Sequence, residues 1–137
     1  MTREYFLALE SHSRHNPLAL SEVIDQLAFN EQGLIPVITQ DINSKQILML
    51  AWMNTVALQK TISTKRMTYW SRSRQQLWVK GETSGHAQKL ITLSLDCDGD
   101  AILCQVKQQG AACHTGRQSC FYLKVEAENQ HVFMRQT

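Results

Sequence analysis

No run in the 137 residues is long and apolar enough to span a bilayer, and Met1-Thr2-Arg3-Glu4 leads into no apolar signal core. Membrane insertion and secretion are therefore not expected. Net charge is also nearly absent. Lys and Arg number 14 and Asp and Glu 12, leaving +2, too little to mark nucleic acid or an anionic membrane as the main partner. No segment repeats, and none is of low complexity. The four cysteines contain no Cys-x-x-Cys pair, which argues against the paired knuckles of structural zinc modules. With no sign of export, they fit a reduced, cytoplasmic setting in which thiols hold metal instead of forming disulfides. What remains is an ordinary composition, 43% hydrophobic. A single domain of this size buries roughly two thirds of the surface its unfolded chain exposes.

Residues 1–20 read as an N-terminal extension with a short helix around Tyr5 to Leu9, and 21–137 as the domain. His12 and His15 lie in a polar stretch before Pro17 with no thiol or carboxylate beside them, so they are read as a solvated loop. Ser21 is expected to cap an amphipathic helix carrying Val23, Ile24, Leu27 and Ala28. Leu34–Thr39 and Gln46–Trp52 flank a polar turn and predict a hairpin, Pro36 placing its first strand at an edge or at an irregular start. Asn54 predicts a helix cap, with Val56, Leu58 and Ile62 available for burial. Five further β-prone runs follow: Met67–Trp70, Leu77–Lys80, Lys89–Leu95, Ala101–Lys107 and Phe121–Val125. The sum is an α+β domain, a mainly antiparallel sheet with two or three helices.

The chemistry concentrates in Asp96-Cys97-Asp98-Gly99-Asp100 and Cys113-His114-Thr115-Gly116-Arg117-Gln118-Ser119-Cys120. Thiolates suit zinc, and clustered carboxylates suit a hard cation. On a continuing strand Asp96, Asp98 and Asp100 would face one way and Cys97 the other, so one segment would serve two metals. An EF-hand is excluded: counting from Asp96, the sixth and twelfth positions are Ala101 and Lys107 where that loop needs Gly and Glu. Cys97, Cys113 and Cys120, spaced by 16 and 7 residues, offer three ligands and leave a position open, as a catalytic zinc requires. Cys104, inside an apolar strand, is assigned to packing. His114 is either a fourth ligand or, as preferred for a residue adjacent to one, an acid or base beside the metal. Three thiolates leave zinc net negative and its water harder to deprotonate, a task for a nearby histidine.

Tyr69-Trp70-Ser71-Arg72-Ser73-Arg74 alternates hydroxyls with guanidiniums, groups that bind phosphate oxygens. Lys80-Gly81-Glu82-Thr83-Ser84-Gly85-His86 has the character of a ligand-approaching loop without being a Walker loop. A single basic segment favours a small phosphorylated ligand over a polymer. Trp52, Trp70 and Trp78 are expected mainly in the core, Trp70 being also a candidate contact.

Together these motifs, with Leu48-Met49-Leu50-Ala51-Trp52-Met53-Asn54, resemble those of the phosphoribosyl-AMP cyclohydrolases of histidine biosynthesis over about Gly33 to Tyr122. The resemblance implies zinc on Cys97, Cys113 and Cys120, and magnesium on Asp96, Asp98 and Asp100. It also implies a homodimer whose cleft and zinc site are shared between subunits. The implied reaction is hydrolytic opening of the adenine ring of phosphoribosyl-AMP between N1 and C6, with His114 managing protons. Trp70, Ser71, Arg72, Ser73, Arg74, Lys80, Glu82, Thr83, Ser84 and His86 become the candidate substrate contacts. Some relatives continue into a pyrophosphatase domain; this chain is expected to carry the cyclohydrolase activity alone. Two other classes compete: a structural zinc-binding interaction module, which would fold on metal without turnover, and a small RNA-binding domain with salt-sensitive affinity.

Overall fold

Side-chain alternation builds the centre of the molecule. In β1 (Ile35–Asp41) Ile35, Val37 and Thr39 are buried while Pro36, Ile38 and Gln40 are only half-buried, and β6 (Ile102–Gln108) repeats this with Ile102, Cys104 and Val106. Period-two burial puts one face of a sheet on a core. The computed structural model describes residues 2–135; Met1, Gln136 and Thr137, at the ends of the expected extension and domain, lie outside the described residues. β2 (Ile47–Met53) and β5 (Gln88–Leu95) complete a four-stranded sheet in the order β2-β1-β6-β5. β1 pairs antiparallel with β2 and β5 antiparallel with β6, whereas β1 and β6 run parallel. Two hairpins stand apart from this sheet, β3 (Thr68–Ser71) with β4 (Gln76–Val79) and β7 (Leu123–Glu126) with β8 (His131–Met134). Three helices, α1 (Thr2–Leu9), α2 (Leu20–Asp25) and α3 (Thr55–Thr64), complete the described elements of this α+β domain.

Helix α3 is stopped and seated by local chemistry. The Asn54 side chain accepts from Ala57 N–H at 2.8 Å, and Lys65 closes the other end in the left-handed region, φ 62°, its N–H on Thr61 O. Thr61 Oγ1 donates to Thr68 O at 3.1 Å and accepts from Thr68 N–H at 3.0 Å, fastening α3 to β3. Deeper in, Tyr69 Oη donates to Gln88 Oε1 at 2.7 Å and pairs with Thr39 Oγ1 at 2.8 Å, while Gln88 Nε2 donates to Gln108 Oε1. These polar groups are buried but paired, so they join β1, β3, β5 and β6 without leaving a desolvated donor. Asn54→Ala should lower unfolding free energy by about 1 kcal/mol in a urea titration.

Several expectations are corrected. α2 begins at Leu20 with Ala19 as its cap residue and no capping side chain, so Ser21 lies inside the first turn. β1 is an interior strand, not an edge; Pro36 lies at its start, opposite Trp52 of β2 and one residue before the pairing with β6 begins at Val37. Val56 is exposed, and Ala57, Leu58 and Thr61 form the buried stripe of α3. β8 was not expected, and the whole β7–β8 hairpin is solvent-facing apart from a half-buried Glu126.

Candidate active site

The two cysteine-bearing segments are turns hung on the ends of the sheet. After β5 the chain does not continue as a strand: Asp96 N–H donates to Ala101 O and Gly99 N–H to Asp96 O, closing a tight turn into β6. The alternation expected for Asp96, Cys97 and Asp98 therefore fails. A turn rotates successive side chains to one side, and the ligand atoms of these residues lie within 4.8 Å of one another. Asp98 N–H further donates to Asp96 Oδ2 at 3.1 Å. Asp100 joins by hydrogen bonding to Asp96, which raises its carboxyl above the usual range, helped by desolvation and by the charges of Asp96 and Asp98. The same hydrogen bond, with the Asp98 N–H, lowers Asp96. Crowded carboxylates whose charges oppose one another are a donor set that a hard divalent cation suits.

The second segment folds back on itself. Ala112 N–H donates to Gln118 O, Cys113 N–H to Arg117 O and Gly116 N–H to Cys113 O, with Gly116 at φ 89° making the reversal. Its far end is pinned to β2: Cys120 N–H donates to Leu48 O at 2.7 Å and Ser119 Oγ to Ile47 O at 2.7 Å. This brings the Cys113 and Cys120 thiols near enough for each to shift the other's titration. Burial alone would raise Cys113, but the Thr115 hydroxyl, which donates to Sγ at 3.1 Å, the Thr115 N–H, Cys120 and the Arg117 charge together bring it below the ordinary thiol value. Cys120 is pushed up to about 11, first by desolvation and then by Cys113, with Lys80 acting against the rise. The pair holds one negative charge more easily than two, a donor set that zinc would complete. Cys97 is not gathered with them: among the described residues, Asp96, Cys97 and Asp98 are the one convergent group of three such donors.

Cys104 is fully buried, and desolvation pushes its thiol up to about 12, so it stays a neutral core side chain, as its strand setting predicts. Lys80 is also buried. Its Nζ donates to Ala112 O at 2.6 Å and stands 5.3 Å from the Trp78 ring centre. Desolvation lowers the Lys80 pKa, while the nearby Cys120 and Cys113 act in the other direction. The lysine read from sequence as a phosphate contact is thus also a tether for the Cys113 segment, a task that no local pattern announces because its acceptor lies 32 residues away.

Beside this tether opens a cleft of about 750 Å³. Arg74, Lys80, Glu82, Thr83, Ser84 and His86 line it together with Cys113 and His114. Trp70, Ser71, Arg72 and Ser73 instead line an adjoining cleft of about 510 Å³, which shares Arg74 and Trp78 with the first. The predicted substrate contacts thus fall into two neighbouring hollows, and neither the carboxylate turn nor Cys120 lines either of them. Trp52, Trp70 and Trp78 are half-buried and not fully in the core, and the Arg72 guanidinium lies 4.8 Å over Trp52. Leu77 and Ala111, which add apolar wall to the larger cleft, were not singled out from sequence and carry no chemical signature. No helix among the described residues is long and apolar enough to cross a membrane.

Comparison with known proteins gives this arrangement a family. The sequence model of phosphoribosyl-AMP cyclohydrolase matches residues 49–122, the stretch from β2 through both cysteine-bearing turns. A phosphoribosyl-AMP cyclohydrolase of Hyphomonas neptunium is 63% identical over 98 residues, 72% of this chain and 75% of the relative. One from Ruegeria sp. is 54% identical over 110 residues, 80% of this chain and 85% of the relative. Another, from Chromohalobacter salexigens, is 50% identical over 127 residues, 93% and 87% of the two chains. With its motifs standing on a cleft and two donor clusters, and relatives matching along most of its length, the chain belongs to the phosphoribosyl-AMP cyclohydrolase family.

Proposed function

We propose that this chain hydrolyses phosphoribosyl-AMP, opening its adenine ring between N1 and C6, with zinc on Cys97, Cys113 and Cys120 and magnesium on Asp96, Asp98 and Asp100. The observation that carries this reading is that His114 and Cys113 line the same cleft as Arg74, Thr83 and Ser84. It offers a proton-transfer group, a metal-binding thiol and phosphate-binding groups in one hollow. The ring is ribosylated at N1, which makes it an amidine with an electrophilic C6, so the protein's main task is to deliver water. Zinc, when bound, supplies a Lewis acid that polarises water. Magnesium supplies positive charge to neutralise phosphate or order the loop.

The remaining steps belong to side chains. His114 is exposed at the cleft, next to a thiol ligand, where it accepts the proton released from water and returns one to N1 as the ring opens. Arg72 and Arg74 hold the phosphates, Ser71, Ser73, Thr83 and Ser84 add neutral hydrogen bonds, and Glu82, His86 and Trp70 face the remaining substrate groups. Lys80 holds the Cys113 turn and presents its charge to the cleft.

The third thiol comes from a second copy of the chain. Cys97 is exposed and lies apart from the Cys113–Cys120 pair, so a three-thiol site closes when Cys97 of one subunit meets that pair of another. Leu123, Val125, Val132, Phe133 and Met134, just beyond Cys120, are each at least 52% exposed. An apolar patch of this kind supports a self-associating surface and hence a homodimer.

A spectroscopic ring-opening assay tests the reading: phosphoribosyl-AMP should be turned over, and AMP, which lacks the N1 substituent, should not. Turnover of neither compound by zinc-loaded protein would refute it. Asp98→Asn should weaken magnesium dependence and leave zinc content near that of the wild type, because it removes a hard ligand and keeps every thiol. Parallel loss of zinc, read by metal analysis, would make the two ions inseparable.

A further inference from the structure

The family model begins at residue 49 and gives helix α1 no task, yet α1 reaches the carboxylate turn directly. Phe6 is 6% exposed, and its ring fills the space where a side chain on Gly99 would stand. A Cβ there would fall onto Phe6 Cε2 and Cζ and lie 2.7 Å from Cδ2. Gly99 is buried and at φ 68°, between Asp98 and Asp100. Its other polar groups are also held: the N–H donates to Asp96 O at 2.9 Å, and the carbonyl accepts from Ala28 N–H at 2.7 Å. The ring, the Ala28 amide and the internal turn bond therefore fix the central residue of Asp96–Asp100 from three directions.

We propose that Phe6 is a positioning residue for this turn, so that the N-terminal segment sets the geometry of Asp96, Cys97, Asp98 and Asp100 without touching substrate. The inference rests on the reading of these carboxylates as a hard-cation site. Its logic is that of an outer support: a ligand-bearing turn with a glycine at its centre has few conformational restraints of its own, and a flat ring against that glycine supplies one. An apolar hollow of about 450 Å³, with Phe6, Leu95, Asp96 and Cys97 in its wall, adjoins the contact, so removing the ring opens space beside the ligands.

The test uses the full chain, zinc-loaded, with Mn2+ as the probe ion and its binding followed by electron paramagnetic resonance. Phe6→Ala should weaken Mn2+ binding roughly tenfold or more, the usual effect of losing an outer support to a metal site. Turnover at saturating substrate and Mn2+ should recover most of the wild-type rate, since the ring acts through the ion's ligands. Mn2+ affinity equal to wild type in a cooperatively folded Phe6→Ala protein would overturn the proposal and leave Phe6 as packing alone. If Phe6→Ala does not fold, Phe6→Leu carries the test through amide hydrogen exchange. Gly99 and Asp98 should exchange faster while Cys104 in β6 is unchanged, and equal exchange at Gly99 and Asp98 would overturn it. If Asp98→Asn leaves wild-type Mn2+ affinity intact, the hard-cation reading has failed, and the exchange of Gly99 and Asp98 decides the role of Phe6 by itself.

Discussion

Cys97→Ser and Cys113→Ser proteins, each inactive alone, should regain about a quarter of wild-type activity when equal amounts are unfolded and refolded together. The expectation follows from where the thiols lie. Cys113 and Cys120 interact within one chain, whereas Cys97 sits on a different turn among Asp96 and Asp98. If Cys97 is donated across a two-fold interface, a mixed dimer collects both defects in one site and none in the other. Random pairing makes half the dimers mixed, and each has one of its two sites intact. No recovery, with mixed dimers verified by mass spectrometry, would place all three thiols of a site in one chain.

His114→Asn should keep its zinc and lose turnover by roughly a hundredfold or more, the range for removing a general acid or base. His114 is exposed at the cleft, whereas its neighbour Cys113 is buried. Adjacent residues whose side chains take such different surroundings are poorly placed to bind one ion together. Metal analysis of the purified variant separates the outcomes: full zinc with slow turnover supports proton transfer, and lost zinc makes His114 a ligand.

What could be read before folding was what neighbouring residues decide among themselves. Asn54 announces its helix because a capping side chain and its target amide are three residues apart. The β1–β2 hairpin is legible from two apolar runs around a polar turn, since its register is set locally. The parallel contact of β1 with β6 is not, because it joins Val37 to Ile102 across most of the chain. That contact also makes β1 an interior strand, which Pro36 by itself does not signal. The donor residues at 96–100 and 113–120 were visible as residue types, but their directions were not. Asp96, Cys97 and Asp98 converge because a hydrogen-bonded turn interrupts the strand, a choice made by the Asp96–Ala101 and Gly99–Asp96 pairings. Lys80 and Phe6 were the least legible, one bonding to Ala112 and the other packing on Gly99, contacts set by tertiary proximity alone.

The most direct test of the central claim is a zinc titration of chelated protein, with ring opening of phosphoribosyl-AMP followed at each addition. Turnover should be negligible without zinc, rise in proportion to metal bound, and level off at about one zinc per chain, as a three-thiol site with an open position requires. Full turnover in protein shown to be free of zinc, or stoichiometric binding with no turnover at all, would contradict the account.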